Sequence, residues 1–401
     1  MSSWLTSAEP NAAWLDDPLA FLLDPVAPAA FFRDHYEQAP LLVSRGEPGR
    51  HRSLVSIQDI DDFIDGADLR TGMLDLVRSS GRIGADQYTS TDGRIIASAV
   101  ASEYLGGATI ILPQLHESMR RLGLFCRALE GVMSCHVQSN VYLTPPGSQG
   151  FATHYDSHDV FVLQVSGSKS WRFYGTPVTI PYRAEGFESG RHDPGEIHES
   201  LTLAPGDCLY VPRGLMHDAP NVGDEPSLHV TVGLITRTWA DLILESVSEL
   251  ALREPGFRRS LPAGFAGPGF DREAARDQFA VLSGLIAAKA NMDGAFDLLA
   301  RNFLRDRRPR VAGIIAGGPG ALDGSSRFRR RPLVPCQLAE DDGKPVVVGP
   351  GGDLAFDADD GEALKRALSG TPFGVENLSC PDPARVLRRL WSHGYLERVG
   401  A

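Results

Sequence analysis

The chain has 401 residues, of which 42% are hydrophobic and 22% charged, and its formal net charge is -12. This length allows two or three domains with separate cores, and the acidic balance argues against a general nucleic-acid binder, because phosphate neutralisation needs a concentrated Lys/Arg surface. An acidic surface attracts basic partners, although charge of this sign also serves ordinary solubility.

Taken in chain order, residues 21–36 carry apolar side chains at roughly helical spacing, and residues 56–65 read as a short helix capped by Ser56 with Asp59 three positions on. Residues 115–129 continue the helical pattern. Residues 135–143 then alternate as a strand does, with further strands expected at 159–165, 170–174, 208–211 and 228–234. Turns at Pro145-Pro146-Gly147, Gly167, Pro181 and Pro205-Gly206 punctuate them, a pattern consistent with a double-stranded β-helix flanked by helices. Residues 183–199, rich in Gly, His and charge, read as a long loop at the mouth of that barrel. Covering a substrate is one role open to such a loop, and its His192 and His198 read as solvated residues rather than ligands.

After Thr236 the pattern turns helical, at 239–252 and 271–290, with a Gly/Pro-rich connection at 255–268. Basic runs at 301–310 and 327–331 read as solvated faces on either side of a Gly-rich linker at 313–324. Three short helices are expected at 362–368, 375–378 and 383–391, followed by a small strand at 394–399. No apolar run approaches the roughly 18 to 20 residues that cross a bilayer, and residues 1–10 lack a basic stretch followed by an apolar one, so a cytoplasmic protein without membrane contact is expected. Cys126, Cys135, Cys208, Cys336 and Cys380 are widely spaced with no Cys-x-x-Cys pair, which predicts reduced, structural thiols.

The chemistry concentrates at His154-Tyr155-Asp156 and His217. On a strand, positions i and i+2 point to the same side, so His154 and Asp156 can grip one ion while Tyr155 faces away. His217 must come from a different strand, through the loop or edge that Pro212 and Gly214 create after the apolar run 208–211. Two imidazoles and one carboxylate hold non-haem Fe(II) on one face and leave the other open for oxygen chemistry. Alone, a His-x-Asp is more often a hydrogen-bonded pair or a surface turn. Here Gly206, Pro212, Gly214, His217 and Asn221 also reproduce the second cupin motif, Gly-x5-Pro-x-Gly-x2-His-x3-Asn, and the two segments together point to metal.

These segments, together with Asn140-Val141-Tyr142-Leu143-Thr144-Pro145-Pro146, Gln149-Gly150-Phe151, residues 161–167 and Lys169-Ser170-Trp171-Arg172, match a known family in order and spacing. The chain resembles the JmjC-type, cupin-fold 2-oxoglutarate oxygenases, and most of all their ribosomal oxygenase branch. Residues 31–42 look like that family's entry segment.

The resemblance implies an α+β fold: a JmjC/cupin jelly-roll barrel with N-terminal helices over 1–237, a helical dimerisation module over 238–310, and a winged-helix-like domain over 311–401. It implies that His154, Asp156 and His217 hold Fe(II), with 2-oxoglutarate as co-substrate and dioxygen completing the reaction. In this scheme Lys169 receives the distal carboxylate of 2-oxoglutarate, a role its charge suits. Asn140 and Tyr142 line the same pocket and donate hydrogen bonds, and His229 and Thr231 support it from one side of a strand. Gly233 departs from the hydroxyl residue common in the branch, and His158 stands where acidic residues are common.

The function implied is hydroxylation of a side chain in a protein or peptide, a basic ribosomal protein being one candidate, with release of succinate and CO2. Demethylation of a methyl-lysine uses the same ligand set. Two alternatives remain at this point: oxidation of a small amino acid or metabolite, and a non-catalytic metal-binding scaffold. Leu242, Val247 and Leu250 form a stripe that serves either a homodimer or packing within one chain. Arg385, Arg388 and Arg389 lie where a winged helix would meet DNA, but the acidic stretch at 353–362 favours a structural or protein-contacting module, and nucleic acid is not expected as a partner.

Overall fold

The computed structural model describes residues 13–318 and 325–399. The expectation for residues 1–10, and residues 319–324 of the Gly-rich linker, lie outside the described residues. The chain divides into two compact units, Met1–Thr236 and Arg237–Ala401.

The described strands of the first unit are β1 (Leu41–Val43), β2 (Asp75–Arg78), β3 (Gly81–Arg82), β4 (Thr109–Leu112), β5 (His136–Thr144), β6 (Asp159–Ser166), β7 (Lys169–Phe173), β8 (Glu199–Leu203), β9 (Cys208–Val211), β10 (His217–Asp218) and β11 (Ser227–Ile235). They form an eight-stranded sheet in the order β1-β9-β6-β11-β5-β4-β2-β3 and a three-stranded sheet in the order β10-β7-β8. Val160 and Val162 of β6 and Leu209 and Val211 of β9 pack against Trp171 and Phe173 of β7 and Leu203 of β8, so apolar side chains from both sheets share one core. Phe161 faces the other way, 5.6 Å from the ring of Phe31. The centre of the large sheet is therefore covered on both faces, which explains why β6 reads as an almost unbroken apolar run.

The strands expected at 135–143, 159–165, 170–174, 208–211 and 228–234 are present as β5, β6, β7, β9 and β11. The helix expected over 21–36 is instead two, Pro18–Leu23 and Pro28–Asp34. Pro25 and Pro28 lack the N–H a continuous helix needs and push the residue before each out of the helical region. Helix Ile57–Gly66 has the capping box expected of it: Ser56 Oγ accepts from the Asp59 N–H at 3.2 Å, and Asp59 returns a carboxylate oxygen to the Ser56 N–H at 2.9 Å.

The second unit begins with helices Trp239–Arg253, Glu273–Lys289 and Met292–Arg305. The last of these absorbs the start of the basic run at 301–310. Leu242 and Leu250 are buried within the chain, whereas Trp239 (73% exposed), Ile243, Leu244 and Leu252 (78%) of the same helix are open. Of the two roles left open for the apolar stripe, packing within the chain is the one its two leucines take.

Further on come β12 (Arg327–Arg330), β13 (Gln337–Asp341), β14 (Lys344–Gly349), β15 (Gly352–Ala355) and β16 (Leu396–Val399), with helices Gly361–Leu368 and Pro383–Ser392. β12 pairs with β16, and β13-β14-β15 form a meander. The run at 327–331 is thus not a plain solvated face. Phe328 points inward to a core with Val347, Leu364, Phe373, Leu390 and Trp391 while its arginine neighbours stay outside. The segment at 375–378 is a single 3-10 turn, Val375–Asn377, rather than a helix of its own. Among the described residues, no helix is long and apolar enough to cross a membrane, and none of the five cysteines is joined in a disulfide.

Candidate metal centre

His154 and His217 meet through their backbones: the His154 N–H donates to the His217 carbonyl at 3.0 Å, and the His217 N–H returns the bond at 2.7 Å. The segment after His154 is irregular rather than a strand, so the i, i+2 argument does not describe it; His154 forms an isolated bridge and the chain then bends. A turn supplies what regular pleating does not. The Gly214 N–H holds the Asp156 carbonyl at 3.0 Å. Gly214 itself has φ +87°, and a side chain there would collide with the Val178 carbonyl. One Cβ-free turn thereby presents both Asp156 and His217.

The result is that one ligand atom from each of His154, Asp156 and His217 lies within 4.8 Å of the others. His154 Nδ1 sits 2.9 Å from the Ala152 carbonyl, and His217 Nδ1 lies 2.9 Å from the Leu215 carbonyl. A carbonyl can only accept, so each Nδ1 carries the proton and each Nε2 is left as the free donor for a metal. Burial, reinforced by the neighbouring His154, lowers the pKa of His217 to about 4, which keeps that imidazole in its neutral, ligating form. Burial opposes ionisation of Asp156, yet the imidazoles of His154, His217 and His158 outweigh it and hold the carboxyl below its ordinary range. Tyr155 points away, as expected, and its hydroxyl donates to the Glu185 carbonyl at 3.2 Å. The 183–199 loop thus lies against the ligand segment, with the Phe187 ring 6.3 Å from that of His154. His192 and His198 do not join the cluster, as expected.

A cavity opens from this cluster, bordered by Tyr142, Phe151, Lys169, Trp171, His229 and Thr231. Lys169, at the start of β7, is only 3% exposed. Its Nζ donates to Thr144 Oγ1 at 3.1 Å, and among the described residues no carboxylate pairs with it. Burial lowers its pKa to about 7. The neighbouring strands β5 and β11 pair in a register that sets Tyr142 opposite His229 and Asn140 opposite Thr231. Tyr142 stacks on His229 with centroids 4.7 Å apart and planes 1° from parallel. Trp171 stands edge-on to His229 at 6.1 Å and tilts over His217 at 5.4 Å. Burial, and then the charge of Lys169, push the His229 pKa well below its usual value, so this ring is neutral. Trp171 Nε1 and His229 Nδ1 are buried polar atoms with no hydrogen-bond partner.

Asn140 is the one expected residue that does not border the cavity. Its side-chain oxygen accepts the Gln114 N–H at 3.0 Å, and its influence on the site is to offset, in part, the burial that raises the Tyr142 phenol pKa. Three residues were given no site role from the sequence: Thr144 and Trp171, quoted only within the matching segments, and Asp218. Thr144 lies two positions beyond Tyr142 and Trp171 two beyond Lys169, so strand alternation alone would have placed both on the pocket side. The two departures noted above prove to be one contact, because a Cβ on Gly233 would fall 2.6 Å from His158 Nε2.

Against this geometry, residues 114–242 match the JmjC domain model. Ribosomal oxygenase 1 of Gallus gallus is 35% identical over 309 residues, covering 73% of this chain and 51% of that protein. The chain belongs to the JmjC family, in its ribosomal oxygenase branch. A second relative, the bifunctional lysine-specific demethylase and histidyl-hydroxylase NO66 of Drosophila mojavensis, is 32% identical over 312 residues, covering 73% of this chain and 35% of that protein. This JmjC chain therefore spans about half, or less, of the length of these curated relatives. Among solved structures, ycfD of E. coli superposes with a TM-score of 0.53 at 17% identity, covering 93% of this chain and 98% of that one. A form described as a ribosomal oxygenase in complex with cobalt and 2-oxoglutarate gives 0.52 at 17% identity, with the same coverage. The shared architecture is the JmjC cupin fold, built of mixed helices and sheets.

Proposed function

We propose that this chain is an Fe(II)- and 2-oxoglutarate-dependent oxygenase that hydroxylates a side chain of a protein or peptide, with a ribosomal protein as the leading substrate class. One observation carries the reading: a buried ammonium, Lys169, with no carboxylate partner, shares a cavity with the His154, Asp156 and His217 cluster. A dicarboxylic co-substrate supplies the missing counter-charge at one end and donors to a metal at the other. The unpartnered Nε1–H of Trp171 gives its oxygens a further donor, so the residues present fit both the metal and the co-substrate.

His154, Asp156 and His217 would hold the iron, which supplies the oxygen chemistry coupled to decarboxylation of 2-oxoglutarate to succinate and CO2. Lys169, steadied by Thr144, binds the distal carboxylate; Tyr142, Thr231, Trp171 and neutral His229 shape and dry the pocket, and Asn140 orients Tyr142. The names of the relatives support hydroxylation of histidine and demethylation of lysine alike, and the ribosomal oxygenase name common to the Gallus gallus relative and the E. coli structures favours a ribosomal protein.

The same reading extends to the rest of the chain. We take the two sheets of the first unit to be the halves of a closed jelly-roll barrel. Residues 238–310 form a helical module whose open Trp239, Ile243, Leu244 and Leu252 suit a homodimer contact. Residues 311–401 form a winged-helix-like domain, supported by helix Pro383–Ser392 followed by a strand that pairs back to β12. Arg385 is paired with Asp357 and Asp360, and Arg389 lies over the Phe356 ring, which speaks against nucleic-acid reading. Five cysteines outside any disulfide suit a reducing compartment such as the cytoplasm.

The test is incubation of Fe(II)-loaded protein with 2-oxoglutarate and a ribosome-containing extract, with succinate assayed beside peptide mass spectrometry and His154→Ala as control. Succinate and a one-oxygen gain on a defined peptide, both lost in the control, are expected. Formaldehyde release in place of the mass gain assigns demethylation. The absence of every product from a metal-loaded protein overturns the oxygenase reading.

A further inference from the structure

We propose that Asp218 is a positioning residue of the metal centre: its buried carboxylate ties the segment carrying His154 and Asp156 to the segment carrying His217, and so sets how tightly metal is held. The inference rests on the reading of that cluster as a metal site.

Strand β10 consists of His217 and Asp218 alone, opposite Phe173 and Arg172 of β7. On its other side stands a single bridge, His154 to His217. Beyond that bridge the two segments meet through isolated backbone contacts, Gly214 N–H to the Asp156 carbonyl at 3.0 Å and Asn221 N–H to the Ser148 carbonyl at 2.8 Å, rather than along a continuous ladder, and the three ligands are divided between them. Asp218 adds a side-chain tie beside the ligands themselves. It is 3% exposed. One carboxylate oxygen accepts Arg172 Nε at 2.5 Å, and the other accepts Thr153 Oγ1 at 2.7 Å and Tyr174 Oη at 2.9 Å. The donors are not scattered. Thr153 immediately precedes His154, while Arg172 and Tyr174 flank Phe173, the cross-strand partner of His217.

Asp218 borders the cavity, yet both its oxygens are already engaged by protein donors, and it is absent from the set of ligand atoms that converge. It therefore acts through the ligands rather than as one of them. A buried carboxylate is costly unless its hydrogen bonds are complete, and here completing them requires the two ligand segments to be in register. Groups of this kind, one layer behind the ligands, tune metal affinity strongly.

The experiment titrates the full-length metal-free protein with Co(II), reading its visible absorption, for the parent and the variants Asp218→Asn, Thr153→Val and both together, with thermal unfolding of each metal-free form alongside. The Asp218→Asn change turns an amide donor toward groups that are themselves donors, while Thr153→Val keeps the shape of threonine and removes only the tie. Asp218→Asn is expected to weaken Co(II) binding by about 10- to 100-fold and to alter the absorption envelope. Thr153→Val should give a smaller loss with an unchanged metal-free unfolding temperature. The double variant should lose less than the product of the two, because both remove the same contact. The proposal is overturned when Thr153→Val binds Co(II) as the parent does, a result that decides the matter even where Asp218→Asn does not fold. A parent protein that binds no Co(II) overturns the metal reading itself, and this inference with it.

Discussion

Lys169 in the first unit and Arg385 in the second are both cations set against buried structure, and the fold treats them oppositely. Arg385 meets Asp357 at 2.8 Å and the fully buried Asp360 at 2.5 Å. Lys169 is the more deeply buried and has only a threonine hydroxyl at 3.1 Å. The first unit is not simply poor in carboxylates, because its own buried Arg213 is matched by Asp159 at 2.6 Å and Glu37 at 2.7 Å. A satisfied buried charge holds a structure together, whereas one left unmatched at high cost marks a place prepared for a ligand.

That contrast can be broken or sharpened by substitution. On the proposed reading of His154 as a ligand and not core, His154→Ala should abolish succinate formation and reduce metal affinity by at least about 100-fold while circular dichroism stays unchanged. Phe328→Ala, in the core of the second unit, should do the reverse: about 3–5 kcal/mol of lost stability in denaturant unfolding, with Co(II) binding by the first unit retained.

Lys169→Met should weaken 2-oxoglutarate binding by about 2–5 kcal/mol, read by calorimetry, yet stabilise the ligand-free protein. Its pH dependence follows from the direction of the shift. Burial lowers the folded-state pKa to about 7, so between there and the unfolded value the unfolded chain binds the extra proton and stability contributed at this position rises with pH. The stabilisation conferred by methionine should therefore be greatest below pH 7 and shrink as pH rises above it. Co-substrate binding to the parent at pH 8 should also take up a proton, visible in the dependence of the binding enthalpy on buffer. Thr144→Val is the mildest change. Removing the one hydroxyl that receives Lys169 should cost about 1 kcal/mol, a several-fold rise in the KM for 2-oxoglutarate with kcat little altered.

Sequence alone determined which side chains to look for. His154, Asp156 and His217, which the fold brings together, and Lys169, which it buries beside them, were legible because metal and carboxylate binding demand particular side chains, and the cupin spacing from Gly206 to Asn221 reflects a turn that only certain residues can make. The central strands β5, β6, β7, β9 and β11 were equally legible, since burial writes apolar periodicity into the chain. Short elements at and near the sheet edges were not: β1, β2 and β3 have at most four residues each, too few for a period to register. The β13–β14 hairpin, with Asp342 and Gly343 at positive φ, carried a turn signal among charged residues that the apolar pattern did not reinforce. What only the tertiary structure decided is which polar groups find partners. Asn140 turning to the Gln114 backbone, His158 lying on Gly233, Asp218 spanning the two ligand segments and Lys169 lacking a counter-charge are all contacts between residues distant in sequence or on different elements. Residue type and spacing prescribe what a side chain can do, but whether it is satisfied depends on the three-dimensional neighbours that folding brings to it.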